Sequence, residues 1–209
     1  GEGEVALTYQ IDEGETVKIK EIKIEGNKAL SASSIKKVMK TKERGLFSFI
    51  TGTGYYKKDV MRSDIEKIKD LYYNNGYIKV TVAEPSLQLT DDKQGMRIAI
   101  QVSEGEQFKV SSVEITGNKA FKEEELRKLI KLTPKKVFNK EILTKDVSAL
   151  TDQYSNNGYA LVSIYPDLTP DEEKKETKVV YKITEGDKYS IGKIQISGNT
   201  KPRDKVIRR

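Results

Sequence analysis

Ile24-Glu25-Gly26-Asn27-Lys28-Ala29-Leu30 returns as Ile115-Thr116-Gly117-Asn118-Lys119-Ala120-Phe121, and in part as Ile196-Ser197-Gly198-Asn199-Thr200. A second phrase travels with it. Asp12-Glu13-Gly14-Glu15, Ser103-Glu104-Gly105-Glu106 and Thr184-Glu185-Gly186-Asp187 each place a glycine twelve residues ahead of the Gly of Gly-Asn. The three Gly-Asn glycines, Gly26, Gly117 and Gly198, lie 91 and then 81 residues apart. That is too long for a solenoid unit of about 20–50 residues, so each period is a small domain with its own core.

Apolar spacing orders the elements within a unit. Ile35, Val38 and Met39, and their counterparts Leu126, Leu129 and Ile130, mark one face of a short helix, with Ser31 placed to cap the first. A longer helix follows. Met61, Ile65, Ile68 and Tyr72 recur as Leu143, Val147, Leu150 and Tyr154, with a common offset of 82. Both runs end at Asn-Asn-Gly, residues 74–76 and 156–158, where glycine can take the left-handed conformation that closes a helix. Strands flank the helix pair, with Ile22, Ile24, Val113 and Ile115 on one face, and Ile98, Ile100, Val102, Val179, Tyr181 and Ile183 alternating in the last strand. The expectation is an α+β array of β-α-α-β-β units, each with two helices packed on one face of a three-stranded mixed sheet.

The domain boundaries follow from the phasing. Residues 16–105 and 106–187 are expected to be complete units, the first with a long inter-helix loop at 41–57. Residues 1–15 match the last strand of a preceding unit, and 188–209 match the first strand and helix start of a following one.

Proline points to the edge of each sheet. The stretches after Asn-Asn-Gly, residues 77–89 and 159–168, contain Pro85 and Pro166, and proline cannot donate to a ladder, so these strands belong on an edge. The polar turns at 90–95 and 169–176 return the chain antiparallel to a central last strand. Ile78, Lys79, Val80, Thr81 and Val82 in one unit, and Ala160, Leu161, Val162, Ser163 and Ile164 in the other, are therefore the candidate open edges that an extended chain could join. A further candidate is the apolar loop with Leu46, Phe47, Phe49 and Ile50 between glycines, which either folds back on the core or faces a partner.

Composition narrows the function. The chain has 38 basic and 32 acidic residues, a net charge of +6, and neither cysteine nor histidine. Thiolate nucleophiles, Ser-His triads, disulfides and ordinary zinc sites are thereby excluded. The lysines are interleaved with glutamates and no basic block alternates with stacking aromatics, which argues against nucleic acid. Gly52-Thr53-Gly54-Tyr55-Tyr56-Lys57-Lys58 lacks the spacing of a phosphate loop, and the Glu-Gly clusters lack alternate calcium ligands and read as turns. No catalytic, metal or cofactor residue emerges, so the chain reads as a binding protein and not an enzyme. A carboxylate-based envelope enzyme and a basic domain that binds anionic lipid are the rivals from other classes.

The element order, the Gly-Asn after the first strand, the Asn-Asn-Gly-Tyr after the second helix and the Glu-Gly between units resemble POTRA domains, the polypeptide-transport-associated repeats of outer-membrane assembly factors. Leu89-Thr90-Asp91-Asp92-Lys93-Gln94-Gly95 leading into Gly117-Asn118 is similar to the junction of the third and fourth such domains in the BamA type. Asp204-Lys205-Val206-Ile207-Arg208-Arg209 is similar to the opening of the last one. The resemblance implies a periplasmic scaffold that binds unfolded outer-membrane proteins by strand addition, receives them from periplasmic chaperones, docks accessory lipoproteins and serves its own C-terminal membrane barrel. It implies no cofactor. Translocation-and-assembly and two-partner secretion transporters share the repeat and are the alternative within the resemblance.

Overall fold

The computed structural model describes residues 17–45, 48, 54–91, 94–193 and 206. The expected strand in 1–15, the candidate loop residues Leu46, Phe47, Phe49 and Ile50, and the Gly198-Asn199 repeat lie outside the described residues. By mutual contact the chain divides into two compact units, Gly1–Phe108 with Val137–Lys140, and Lys109–Lys136 with Glu141–Arg209.

In the first unit the elements are β1 (Lys18–Glu25), α1 (Ala32–Val38), α2 (Lys58–Asn74), β2 (Thr81–Val82), β3 (Ser86–Leu89) and β4 (Gly95–Ser103). The second has β5 (Lys109–Thr116), α3 (Glu123–Arg127), α4 (Lys140–Asn156), β6 (Ser163–Asp171) and β7 (Glu176–Thr184). The last strand is central in both sheets: β4 pairs in parallel with β1 and antiparallel with β2 and β3, and β7 pairs in parallel with β5 and antiparallel with β6. The first sheet counts four strands yet is three wide, because β2 and β3 are one edge broken around Pro85.

Alternation decides which face is dry. Ile22, Ile24, Ile98, Ile100 and Val102 are buried against Ile35, Met61, Ile68 and Tyr72, and Val113, Ile115, Val179, Tyr181 and Ile183 do the same work around Leu126, Leu143, Leu150 and Tyr154. Ser31 caps α1, accepting from the Ser34 N–H at 3.1 Å. Of the expected α4 face, Val147 is only half-buried, and Asp146 takes the fully buried position beside it.

Gly26 and Gly117 sit where only glycine fits. Gly26 and Gly117 have φ of 80° and 83°, and a Cβ there would run into the carbonyl oxygens of Val102 and Ile183. The turn after β1 or β5 thus lies directly on the end of the central strand.

The second strands begin later than the periodicity suggests. Residues 78–80 and 160–162 form turns, in which the Val80 N–H donates to Tyr77 O and the Val162 N–H to Tyr159 O. Ile78, Lys79, Val80, Ala160, Leu161 and Val162 are therefore not edge-strand residues, and Val80, 5% exposed, belongs to the core. A turn with one inward valine mimics a strand's alternation. β6 also runs further than expected, to Asp171, so its turn is the four residues 172–175.

Candidate functional site

One edge of each sheet is occupied by the unit's own chain. Along β1 the Ile19 N–H donates to Gly54 O at 2.8 Å, the Arg44 N–H donates to Ile19 O at 2.9 Å, and the Ile22 N–H donates to the Glu43 carboxylate at 2.9 Å. Along β5 the Val110 N–H donates to Lys136 O, the Lys135 N–H to Val110 O, and Arg127 Nη2 to Val113 O. The opposite edges, β2–β3 and β6, have no such cover among the described residues. Of the residues expected at the open edge, Thr81, Val82, Ser163 and Ile164 do lie there.

Register identifies which backbone groups point outward. The Ala83 N–H donates to Gln101 O and the Thr90 N–H to Gly95 O, so in the antiparallel alternation Ser86 and Gln88 face β4 while Val82, Leu87 and Leu89 turn their N–H groups away. Leu87 and Leu89 stand opposite Ile98 and Met96 and share the helix-bearing face with them, yet are 41% and 57% exposed. An apolar strip thus accompanies the free donors. Periodicity alone did not single these two leucines out, although both belong to the stretch that Pro85 marks as an edge.

The edge of the second unit is different. Pro166 and Pro170 occupy alternate positions of β6, opposite Tyr181 and Thr177. Leu168 and Pro170 match Leu87 and Leu89 by register, so Ile164, Pro166, Leu168 and Pro170 are its outward positions. Two of those four lack an N–H, and the remaining donors are never consecutive in the alternation.

Two carboxylate cradles tie the loops of each unit to its helices. Glu104 accepts from the N–H groups of Lys28, Ala29 and Leu30 and from the Tyr72 hydroxyl at 2.9 Å. Glu185 repeats this with the Lys119 and Ala120 N–H groups and the Tyr154 hydroxyl. Tyr72 and Tyr154 in turn meet Tyr77 and Tyr159 edge-to-face at 5.8 Å, so the tyrosine of Asn-Asn-Gly-Tyr packs as part of this cradle. The glutamate of each Glu-Gly turn is a clasp across the Gly-Asn loop. The second cradle is buried: Asp64 accepts from the Lys40 and Thr41 N–H groups and pairs with Lys67, while Asp146 accepts from the Lys131 and Leu132 N–H groups and the Tyr181 hydroxyl.

Electrostatics follow from these bonds. Burial pushes the Glu104 carboxyl up, but the donors from Ala29, Tyr72, Lys28 and Leu30 outweigh it and hold it below the usual range. Glu185 is lowered in the same way by Ala120, Lys119 and Tyr154 against its burial, and Asp64 by Lys40, Lys67 and Thr41 against its own. A carboxyl depressed in the fold stabilises above its unfolded pKa, and this contribution is lost as pH falls through the folded value. The thermal midpoint is expected to hold from pH 7 to about pH 5 and to fall below that. In Glu104→Gln with Glu185→Gln the acid-side slope should shrink, as checked by calorimetry across pH; an unchanged slope would mean that the clasps carry no linkage.

Comparison with known proteins places the repeat. The family described as POTRA, surface antigen variable number repeat, matches residues 17–105 and 108–186. The outer membrane protein assembly factor BamA of Neisseria meningitidis is 32% identical over 206 residues, covering 98% of this chain and 26% of the relative. BamA of Nitratidesulfovibrio vulgaris is 32% identical over 213 residues, covering 100% of this chain and 27% of the relative. The chain therefore spans about a quarter of the length of these curated relatives. The crystal structure of Haemophilus influenzae BamA POTRA3-5 superposes with a TM-score of 0.75 at 22% identity, covering 93% of this chain and 76% of that one.

Proposed function

The chain belongs to the POTRA domain family, and on that premise we propose that it is the periplasmic part of a BamA-type outer-membrane assembly factor, binding unfolded outer-membrane proteins by strand addition. The observation that carries the reading is the β3 edge of the first unit. Its outward N–H groups at Leu87 and Leu89 lie beside exposed leucine side chains, while the β1 edge of the same sheet is already filled. Backbone pairing supplies affinity without demanding a sequence, and an apolar strip on the helix-bearing face favours the alternating apolar residues of a membrane-barrel strand. Periplasmic chaperones as donors, accessory lipoproteins as docked partners and a following membrane barrel are the partners of this role. The names of the BamA relatives support membership of such an assembly.

The test is amide hydrogen exchange and NMR perturbation on adding a peptide that matches one strand of an outer-membrane barrel. Protection is expected at Val82, Leu87 and Leu89, with β1 and β5 unaffected. Perturbation confined to side chains elsewhere, with no protection along β2 and β3, would overturn strand addition at this edge.

A further inference from the structure

A run of basic residues lies where α1 ends and α2 begins in the first unit. Lys36, Lys37, Lys40, Lys42 and Arg44 follow one another around the end of α1 with Glu43 as the one acidic residue among them. Lys57 and Lys58 join them at the start of α2. A cavity of about 200 Å³ opens here, lined by Lys40, Lys42 and Lys57 together with Tyr55 and Val60.

Asp59 lies in the first turn of α2, and the two carboxylates nearest the end of α1 are already engaged. Glu43 takes the Lys36 ammonium and the Ile22 N–H, and Asp64 is closed by two backbone N–H groups and Lys67. Among the described residues no carboxylate pairs with Lys40, Lys42 or Lys57; Lys42 Nζ donates only to the Lys36 carbonyl. Residues 46–53, between the two halves of the site in sequence, contain no acid. The start of α2 contributes its positive end, with Lys57 at the N-cap making no side-chain capping bond and Asp59 in the first turn offsetting part of that field.

The second unit supplies an internal control. Its Asp146 cradle aligns Lys131 with Lys40 and Thr133 with Lys42, and the helix offset aligns Asn139 with Lys57. Of these three aligned positions only one carries a lysine, so the trio is not a requirement of the repeat.

We propose that this cavity binds a phosphate-bearing anion, with Lys40, Lys42 and Lys57 as its three cationic contacts and Tyr55 as its apolar wall. A phosphate is compact enough for the space and offers three or more acceptor oxygens to three ammonium groups. The source is a lipid headgroup or a free phosphate.

The test titrates the full chain with inorganic phosphate at constant ionic strength, following the backbone amides of Lys40, Thr41, Lys42, Tyr55 and Lys57 by NMR, with chloride as the blank. Saturable shifts at these amides are expected, weakened at least tenfold in K40Q/K42Q/K57Q and unchanged in the equally neutralised K109Q/K128Q/K193Q. Co-sedimentation with phosphatidylglycerol against phosphatidylcholine vesicles distinguishes the sources: retention on the anionic vesicles alone assigns the headgroup, and phosphate binding without retention assigns the free anion. Equal shifts with chloride, equal loss in the control triple variant, or tighter binding of a polyglutamate peptide than of phosphate would each overturn the proposal.

Discussion

Replacing Asp146 with alanine is expected to destabilise the second unit by about 3–5 kcal/mol, the lower part of the range for three buried donors losing their acceptor. Asp146 and Tyr181 are both wholly buried, and Leu132 nearly so. Alanine would leave two backbone N–H groups and a tyrosine hydroxyl facing a cavity, and each buried donor left unpaired costs about 1–3 kcal/mol before any local rearrangement. Asp146→Asn keeps one acceptor oxygen and turns an NH₂ toward the remaining donors, so an intermediate loss is expected. The first unit tests the logic. It has Ile100 at the register position of Tyr181, and Asp64 is balanced by Lys67, whose side chain is 31% exposed. Asp64→Ala lets that ammonium turn to water, and the loss should be smaller by about 1 kcal/mol, one ordinary hydrogen bond. Urea unfolding read from resonances of each unit checks both values. A loss below about 1 kcal/mol for Asp146→Ala would show that the turn at 131–132 stands without its carboxylate.

Much of this architecture is legible in the sequence because two periodicities and one amino acid carry it. The 82-residue offset that relates Met61 to Leu143 and Tyr72 to Tyr154 identifies the buried helix face, and proline at 85 and 166 demotes the second strand to the edge, which forces the last strand into the centre. The same signals fail where burial and secondary structure part company. Val80 is apolar and inward like a strand residue, yet its N–H closes a turn on Tyr77 O, and no periodicity separates those two cases over three residues. The cradle carboxylates are hidden for a different reason. An aspartate on an amphipathic helix reads as solvent-facing, although the recurrence of Asp64 as Asp146 at the same offset as the apolar face was the available sign. Glu104 and Glu185 read as turn residues because their partners, the Gly-Asn loop and a tyrosine, are 30 or more residues away.

Exchanging the prolines between the two edges should exchange their capacity to accept a strand. A strand adding to β3 finds the consecutive outward donors of Leu87 and Leu89, whereas β6 interrupts the series with Pro166 and Pro170. Each added backbone bond is worth ~1 kcal/mol net, or roughly fivefold in affinity, so removing or restoring two outward donors on one edge changes its affinity by about 25-fold. In Leu87→Pro with Leu89→Pro the first edge is expected to lose that factor for an extended outer-membrane peptide, and Pro166→Ala with Pro170→Leu should bring the second edge up by a similar factor. Leu87→Thr with Leu89→Thr separates the backbone from the side chains: it keeps both donors and removes the apolar strip, so its loss measures what the leucines add. Circular dichroism and thermal melting identify any variant that has simply unfolded, and the β6 pair guards against that outcome because removing prolines whose missing donors face solvent leaves the ladder to β7 intact. Affinity by fluorescence anisotropy that ignores both proline exchanges, in folded proteins, would mean that clients are held by side-chain surfaces and not by the sheet. If instead β6 gains binding when its donors are restored, the two units differ in client capture because of two prolines, within the same fold and the same strand order.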